Sequence, residues 1–387
     1  MLDILYLASN TGDTTVAKRQ KMLRDGGAAV SVAGFRRAGS AAPDLGPGDH
    51  VALGETFDAR FLQRILAVAK ASEPLRWRMR GRARPDVILA RNLEMLFLAG
   101  RLRSAWREPP AVAYECLDIH RLLLRPDLVG RTLRGIERRL LRDADLLITS
   151  SRAFVQDYFE AYRQSELPVA LVENKVYGAG AARGHNPALG PTAEGPIRIG
   201  WFGALRCRKS LEILADFAGR MNGGVEVALW GRPALTEFAD FHGAVAAHAF
   251  LSYGGPYGPG DLAELYSGVH LAWAIDYFEA GQNSAWLLPN RIYEGCLHGA
   301  IPVALAGTET AAFIQRLGIG IVLPDTKAKT LIASIGSLDA AALRRLAEAV
   351  AAVPATTFAA GVADARSLVR RLAGVAGRAP AALEEAA

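Results

Sequence analysis

Apolar residues occur along this chain in short runs, separated by longer stretches in which they recur every three or four positions. Short runs are typical of buried β-strands, and the longer spacing is typical of amphipathic helices. In the first half, the pattern predicts strands at Ile4–Ala8, Ala29–Gly34, His50–Leu53, Asp86–Ala90, Ala111–Cys116, Leu146–Thr149 and Val169–Glu173. The predicted helices between them include Phe61–Ala71, Leu93–Leu102, Arg131–Arg142 and Arg152–Tyr162. This alternation indicates a parallel sheet covered by helices on both faces.

The alternation stops after Tyr177 and restarts at Ile197, and the residues between are rich in Gly, Ala and Pro. The predicted strands of the second half are Ile197–Phe202, Val225–Trp230, Ala249–Ser252, His270–Ile275 and Ile301–Ala304. The predicted helices are Ser210–Arg220, Leu235–His248, Asp261–Ser267 and Asn290–His298, followed by two or three helices between Asp339 and Arg378.

The fold class predicted from this pattern is α/β, with two doubly wound Rossmann-like domains facing across a cleft. The domains would comprise residues 1–177 and 197–355, joined by a linker at 178–196, with C-terminal helices at 356–387 that pack back on the first domain. In such sheets, ligands bind at the carboxyl ends of the strands, so one domain can hold a donor and the other an acceptor.

Composition narrows the class of protein. The chain has 387 residues, of which 51% are hydrophobic and 22% are charged, as expected for a globular protein of about two domains. Three scattered cysteines fit a reducing cytoplasm and supply neither a disulfide framework nor a zinc site. The N-terminus lacks the basic region of a signal peptide, and no run of about 18 apolar residues occurs.

Positive charge is concentrated in the first half. Residues 1–195 contain 29 Lys and Arg against 22 Asp and Glu, a net charge of +7, whereas residues 196–387 have a net charge of −1. Much of the excess lies in Arg76–Arg84 and in Arg121–Arg142. These segments are either solvated basic faces or a surface for an anionic partner, such as membrane lipid headgroups or a phosphorylated substrate.

The strongest local motif runs from Ile197 to Leu211. A predicted strand reaches Gly203, a turn carrying three cations (Arg206, Arg208 and Lys209) follows, and Ser210 stands where an N-cap would begin the next helix. The glycine permits close approach of a ligand, and the cations can neutralise two phosphates; the alternative is a solvated basic turn. The spacing matches neither the dinucleotide-binding glycine motif nor a phosphate-binding P-loop.

Two further motifs carry candidate chemistry. In the predicted helix between Pro289 and Gly299, Glu294 lies among apolar residues and needs a partner, which is either a pair of ribose hydroxyls or Arg291. After the strand Ala111–Cys116, Asp118 and His120 can orient a sugar hydroxyl or move a proton, unless the histidine is an ordinary surface residue.

The segments 199–211 and 290–303 resemble the donor-binding half of GT-B glycosyltransferases, in particular family 4-like enzymes of bacterial exopolysaccharide and lipid-linked oligosaccharide assembly. The resemblance extends over essentially the whole chain. It implies that the donor diphosphate binds at Gly203, Arg206, Arg208 and Lys209, the ribose at Glu294, and the donor sugar near His120. It also implies an acceptor-side loop after the first strand, where Gly12 is the candidate.

The chain departs from that family at Trp286, where many members have a second glutamate. Other polar residues in the surrounding loop and in the next helix are candidates for binding the donor sugar in place of that glutamate. They are Asp276, Glu279, Asn283, Ser284, Asn290 and Arg291.

The sequence does not support a metal site, a serine hydrolase site or a nucleic-acid-binding site. Asp143-Ala144-Asp145 resembles a metal-binding D-x-D, but it precedes the strand Leu146–Thr149 in the first domain, where Asp143 is expected to end a helix. The dispersed histidines predict no metal site or cofactor. Thr149-Ser150-Ser151 lacks the pattern of a serine hydrolase. The basic runs contain no interleaved aromatic residues except Trp77, so no nucleic-acid partner is predicted.

The predicted function is a metal-independent, retaining hexosyltransferase that moves a sugar from a UDP- or GDP-sugar to a saccharide or polyprenyl-diphosphate-linked acceptor. The predicted location of the protein is the cytoplasm, where its basic first domain would bind peripherally to the anionic inner face of the membrane. The alternatives are a nucleotide-sugar-binding protein without transferase activity and a sugar-nucleotide epimerase or phosphorylase on the same fold.

Overall fold

The computed structural model describes residues 1–37, 50–56, 61–178 and 195–378. The chain divides into two units: unit 1 comprises Met1–Glu173 and Gly361–Ala387, and unit 2 comprises Asn174–Ala360. Most of the predicted linker at 178–196 lies outside the described residues, as does the end of the C-terminal segment.

Unit 1 contains seven parallel strands in the order β3-β2-β1-β4-β5-β6-β7. They are β1 Leu2–Ala8, β2 Ala28–Arg37, β3 His50–Thr56, β4 Val87–Arg91, β5 Ala111–Cys116, β6 Leu146–Thr149 and β7 Val169–Leu171. Its helices are α1 Thr14–Asp25, α2 Phe61–Met79, α3 Leu93–Leu102 and α4 Leu128–Leu141, with a π-helix at Phe154–Glu160. Every residue of β4, β5 and β6 is buried, as expected for strands covered on both faces.

Unit 2 has a second parallel sheet, in the order β11-β10-β9-β12-β13-β14, and a two-stranded pair β15-β8. Its strands are β8 Val176–Tyr177, β9 Ile197–Leu205, β10 Val225–Pro233, β11 Leu251–Gly255, β12 Leu271–Trp273, β13 Ile301–Leu305, β14 Ile321–Leu323 and β15 Ala359–Ala360. Its helices are α5 Arg208–Met221, α6 Phe241–Ala246, α7 Leu262–Ser267, α8 Asn283–Trp286, α9 Asn290–Leu297, α10 Glu309–Leu317, α11 Ala328–Leu331 and α12 Ala340–Ala352. Both large sheets are doubly wound, as the alternation predicts.

The last described helix, α13 (Val362–Val375), belongs to unit 1. It packs against α1, where a Cβ atom on Gly26 would lie 2.6 Å from the Ala365 carbonyl oxygen. Arg378 Nη2 lies 2.5 Å from Asp86 Oδ1, beside the amino end of β4. Unit 1 is therefore completed by a helix that follows all of unit 2 in the sequence.

Three predicted helices differ markedly from the structure. The helix predicted over Phe61–Ala71 is longer in the structure, where α2 extends to Met79. The helix predicted over Leu235–His248 is only the six-residue α6, whose start is fixed by Asp240, which caps the helix by accepting from the Gly243 backbone N–H at 2.8 Å. The helix predicted over Arg152–Tyr162 contains the π-helix, with Ala161 N donating to Gln156 O at 3.2 Å. This wider turn buries the consecutive aromatic residues Tyr158 and Phe159 together.

Candidate functional site

The carboxyl edge of the unit 2 sheet is open at Gly203. Gly203 in β9 pairs with Gly231 in β10, and both have positive φ angles, 107° and 135°. A Cβ atom on Gly231 would lie 1.8 Å from the Gly203 carbonyl oxygen, so a side chain cannot be accommodated there. Among the described residues, a Cβ atom on Gly203 would meet the Tyr257 hydroxyl alone, at 3.8 Å. The Gly203 backbone therefore faces space that a ligand can approach.

Two of the three predicted cations lie against the loop that follows β12. The Arg206 Nη2 atom lies 3.5 Å from Asp276 Oδ2, and its guanidinium lies 4.7 Å from the centre of the Phe278 ring. Lys209 Nζ lies 4.0 Å from the centre of the Tyr277 ring. These contacts hold two positive charges at the carboxyl edge of the sheet.

The third cation lies on the surface of α5. Arg208 Nε is 3.2 Å from Glu212 Oε1, one turn further along the helix, and both side chains are exposed. The structure thus pairs this predicted diphosphate ligand with a carboxylate of its own helix. Binding of the donor diphosphate by Arg208 stays a prediction.

The N-cap of α5 is Cys207, so the prediction of Ser210 as the cap is wrong. The Cys207 sulfur accepts from the backbone N–H of Ser210 at 3.3 Å and from that of Tyr277 at 3.2 Å. The Ser210 hydroxyl instead donates to the Ile275 carbonyl oxygen at 3.2 Å. The buried thiol and hydroxyl therefore join the cationic turn to the loop after β12, a role that is hard to predict because sulfur is a weak acceptor.

The loop after β12 is stabilised by its own polar side chains. Asp276 Oδ1 accepts from the Phe278 N–H at 2.8 Å. Asn283 Nδ2 donates to Glu279 Oε2 at 2.6 Å, and the Ser284 hydroxyl accepts from the Glu279 N–H at 2.9 Å. Asn283 and Ser284 are both buried. These two candidates for the donor sugar thus shape the loop, whereas Asp276 reaches the cationic turn.

Glu294 lies half-buried on α9 beside two tyrosines. The Tyr266 hydroxyl donates to Glu294 Oε2 at 3.2 Å. Burial, and next the negative charge of Glu294, raise the pKa of Tyr257 and of Tyr266 above the ordinary value, so both hydroxyls keep their protons. Arg291 Nη1 donates to the Trp273 carbonyl oxygen at 3.3 Å. Asn290 begins α9 and is exposed.

In unit 1, Asp118 and His120 lie in the turn after β5. Asp118 is exposed and His120 is half-buried. His120 Nδ1 accepts from the Leu122 N–H at 3.3 Å, so the neutral ring has its proton on Nε2. This is the tautomer in which Nε2 can donate to a hydroxyl group.

A buried acid lies behind this turn. Glu137 on α4 accepts from the Tyr158 hydroxyl at 2.5 Å and from the Tyr114 hydroxyl at 3.3 Å. Burial raises the pKa of Glu137 to about 7, although both hydrogen bonds oppose the rise.

The loop that contains Gly12 follows β1 and lies at the same sheet edge. The Gly12 N–H donates to Asn10 Oδ1 at 3.2 Å, and Gly12 itself is exposed. Thr11 is attached to β2 through its N–H, which donates to the Phe35 carbonyl oxygen at 2.8 Å. Asp13 caps α1 by accepting from the Thr15 N–H at 2.9 Å.

An ion network that the sequence pattern does not predict lies beneath this loop. Glu115 in β5 is fully buried, with Oε1 2.6 Å from Arg19 Nε and Oε2 3.5 Å from Arg91 Nη1. Oε2 also accepts from the Tyr6 hydroxyl at 2.8 Å. Arg91 continues to the Gly12 loop, 3.6 Å from Asp13 Oδ2. The only signal in the sequence is one charged residue near the end of each of two otherwise apolar strands, Arg91 in β4 and Glu115 in β5.

The D-x-D sequence has structural roles in unit 1. Asp145 Oδ2 accepts from the Val112 N–H at 2.8 Å, and Asp143 lies just after the end of α4. Across the described ranges, no group of three or more His, Cys, Asp or Glu side chains is arranged to hold a metal ion. The same part of the chain contains no helix with the length and apolarity needed to cross a membrane.

Comparison with known proteins finds similarity along nearly the whole chain. The succinoglycan biosynthesis protein ExoL of Rhizobium meliloti (strain 1021) is 47% identical over 384 residues, which cover 98% of this chain and 95% of that protein. No family model matches the chain.

Solved structures that share the fold include two that align over nearly the whole chain. Sucrose-phosphate synthase from Thermosynechococcus elongatus superposes with a TM-score of 0.66 at 16% identity, covering 97% of this chain and 96% of that one. Anabaena HepE in complex with UDP and glucose superposes with a TM-score of 0.65 at 17% identity, covering 97% and 100%.

Proposed function

The chain belongs to the GT-B glycosyltransferases of exopolysaccharide biosynthesis, together with ExoL, and from this premise we propose that it transfers a sugar from a UDP-sugar to a saccharide acceptor. The observation that carries the proposal is the carboxyl edge of unit 2, where Gly203, Arg206, Lys209 and Glu294 follow or flank the central strands. The UDP and UDP-glucose bound by HepE support a uridine nucleotide over a guanosine nucleotide.

In this proposal the Gly203 backbone approaches the diphosphate, and the Glu294 carboxylate accepts from the ribose hydroxyls. Negative charge develops on the diphosphate as the glycosidic bond breaks, so Arg206 and Lys209 stabilise the transition state more than the ground state. The two cations thereby supply the charge that a metal ion supplies in other glycosyltransferases. The family resemblance implies that the anomeric configuration is retained.

The donor site is tested by replacing Glu294 with alanine. We expect one nucleotide sugar in a panel of UDP-, GDP- and ADP-sugars to raise the melting temperature of the wild type. Affinity should fall about 10–100-fold in Glu294→Ala, because hydrogen bonds to a charged group contribute about 1.5–3 kcal/mol. Isothermal titration calorimetry with the stabilising donor measures this loss.

The matched control is Glu264→Ala, which removes an exposed glutamate from the neighbouring helix α7. It should bind the donor like the wild type. Absence of a thermal shift with every nucleotide sugar would contradict the proposed function, and equal binding by Glu294→Ala would move the ribose site elsewhere.

We further propose that a lipid-linked acceptor is reached at an anionic membrane surface through α4. Its exposed face combines apolar Leu128, Val129 and Ile136 with Arg131 and Arg139. The chain from β5 to the start of α4 lies at the carboxyl edge of unit 1, where the acceptor is expected. Arg76–Arg84, the other basic segment, precedes β4 and lies at the opposite edge.

Vesicle sedimentation tests this surface. Binding to phosphatidylglycerol vesicles should weaken with added salt, and the double variant Arg131→Gln/Arg139→Gln should bind about 10–30-fold more weakly, at roughly 1 kcal/mol per arginine. Arg78→Gln/Arg80→Gln, in the other segment, is the matched control and should keep its binding. Binding that resists salt, or none at low salt, contradicts this part of the proposal.

A further inference from the structure

Asn92 has a backbone conformation that is unusual for any residue other than glycine. It directly follows β4 and precedes α3, with φ 72° and ψ 167°. Its N–H donates to the Glu115 carbonyl oxygen at 3.0 Å, and its own carbonyl oxygen accepts from the Leu96 N–H at 3.0 Å. Strained residues of this kind are concentrated at binding and catalytic sites, where the surrounding structure holds them.

The Asn92 side chain lies at the point of unit 1 where the order of the strands reverses. The chain winds outward from β1 to β3 on one side and from β4 to β7 on the other, so β1 and β4 flank the switch point. Asn92 Nδ2 donates to the hydroxyl oxygen of Ser9, which directly follows β1, at 3.2 Å. In doubly wound sheets, the crevice outside these two strand ends is the preferred ligand site.

The charges beneath this crevice balance. The guanidinium groups of Arg19 and Arg91 face the carboxylates of Glu115 and Asp13. Within the described residues of this network, the two cations are matched by two anions, so the network adds no excess charge to attract a phosphate. An amide offers a donor and an acceptor side by side, which suits a neutral hydroxyl group that itself both donates and accepts.

We propose that Asn92, supported by Ser9, binds hydroxyl groups of the acceptor saccharide. This inference rests on the proposed function, since it assigns the acceptor side of the same reaction. Asn92 was not among the residues predicted from the sequence. The Arg91 contacts to Glu115 and Asp13 fix both walls of the crevice, so the amide is oriented before the acceptor binds.

Asn92→Gly separates a binding role from a backbone role. Glycine adopts this conformation without strain, so a purely structural asparagine would be replaced without loss. If the amide binds the acceptor, the KM for the acceptor should rise about tenfold in Asn92→Gly, while the KM for the donor and the melting temperature are maintained or improved. Ser9→Ala should raise the acceptor KM less.

The assay follows UDP release from the stabilising UDP-sugar, with octyl glucoside, octyl galactoside and octyl mannoside as acceptor probes. Asn222→Gly is the matched control, because Asn222 also has a positive φ angle, 42°, but caps the end of α5 in unit 2. It should keep the wild-type KM for the acceptor.

An unchanged acceptor KM in Asn92→Gly, or no stimulation of the wild type by any octyl glycoside, would overturn the proposal while leaving the donor site intact. Failure of the proposed function itself has a different signature, because no nucleotide sugar would then stabilise even the wild-type protein.

Discussion

Replacing Lys209 with methionine is expected to lower kcat about 10²–10³-fold, the usual loss when one fixed group that stabilises developing charge is removed. Lys209 lies 4.0 Å from the centre of the Tyr277 ring, and the Tyr277 backbone is itself attached to Cys207. The ammonium group is thereby held at the sheet edge before the diphosphate begins to leave. Methionine keeps most of the length of the side chain and removes its charge together with its N–H donors.

The kinetic pattern distinguishes this role from simple attraction of the donor. Loss of transition-state stabilisation lowers kcat and kcat/KM together, whereas loss of uniform binding raises the donor KM and leaves kcat unchanged. Rates of UDP release at saturating donor decide between the two. The matched control is Arg220→Met, which removes an exposed cation from the far end of α5, where it pairs with Asp216.

Glu115→Ala is expected to destabilise unit 1 by about 3–5 kcal/mol, the range for breaking a buried ion pair from one side. The variant leaves the guanidinium groups of Arg19 and Arg91 buried, with the charge of Glu115 gone and a cavity in its place. Urea denaturation followed by circular dichroism measures the loss. Glu73→Ala, which removes the exposed partner of Arg101, should leave the midpoint almost unchanged.

The same network gives the stability a defined dependence on pH. Burial alone would raise the pKa of Glu115, but Arg19 and Arg91 hold it below its ordinary value of 4.5. A carboxyl group with a lowered pKa in the folded state stabilises the fold above the unfolded pKa, and this contribution is lost as the pH falls through the folded value. The variant should lack this acid-dependent loss. An equal slope in both proteins below pH 4.5 would contradict the role of Glu115.

Most of the fold follows from the sequence because each strand is a short apolar run between helical stretches. The bounds of β5, β6 and α3 coincide with the prediction. The errors arise where tertiary contacts compete with local pattern. The π-helix depends on burying two consecutive aromatic residues, and α6 is shortened because Asp240 caps it only at Phe241.

The residues of the candidate site also divide into those that the local sequence predicts and those that it does not. Gly203 and Lys209 stand at or just after the end of β9, and parallel strands bring such ends to one edge, so their placement follows from the sequence. Glu294 is a candidate for another reason, because it is a carboxylate among the apolar residues of a helix. The network around Glu115 joins residues from α1, β4 and β5, and the spacing between those positions has no periodicity to reveal it. Asn92 cannot be predicted from the sequence for a different reason, because its distinguishing feature is a backbone angle.

The return of α13 to unit 1 determines the order in which the two units are completed during synthesis. A ribosome releases residues 174–360, the whole of unit 2, before α13 emerges to cover α1 and before Arg378 reaches Asp86. At about 5–20 residues per second, the nascent first unit waits roughly 10–40 seconds with that surface uncovered. Unit 1 is thus begun first and finished last, and its exposed α1 face is the surface on which a chaperone would act during this interval.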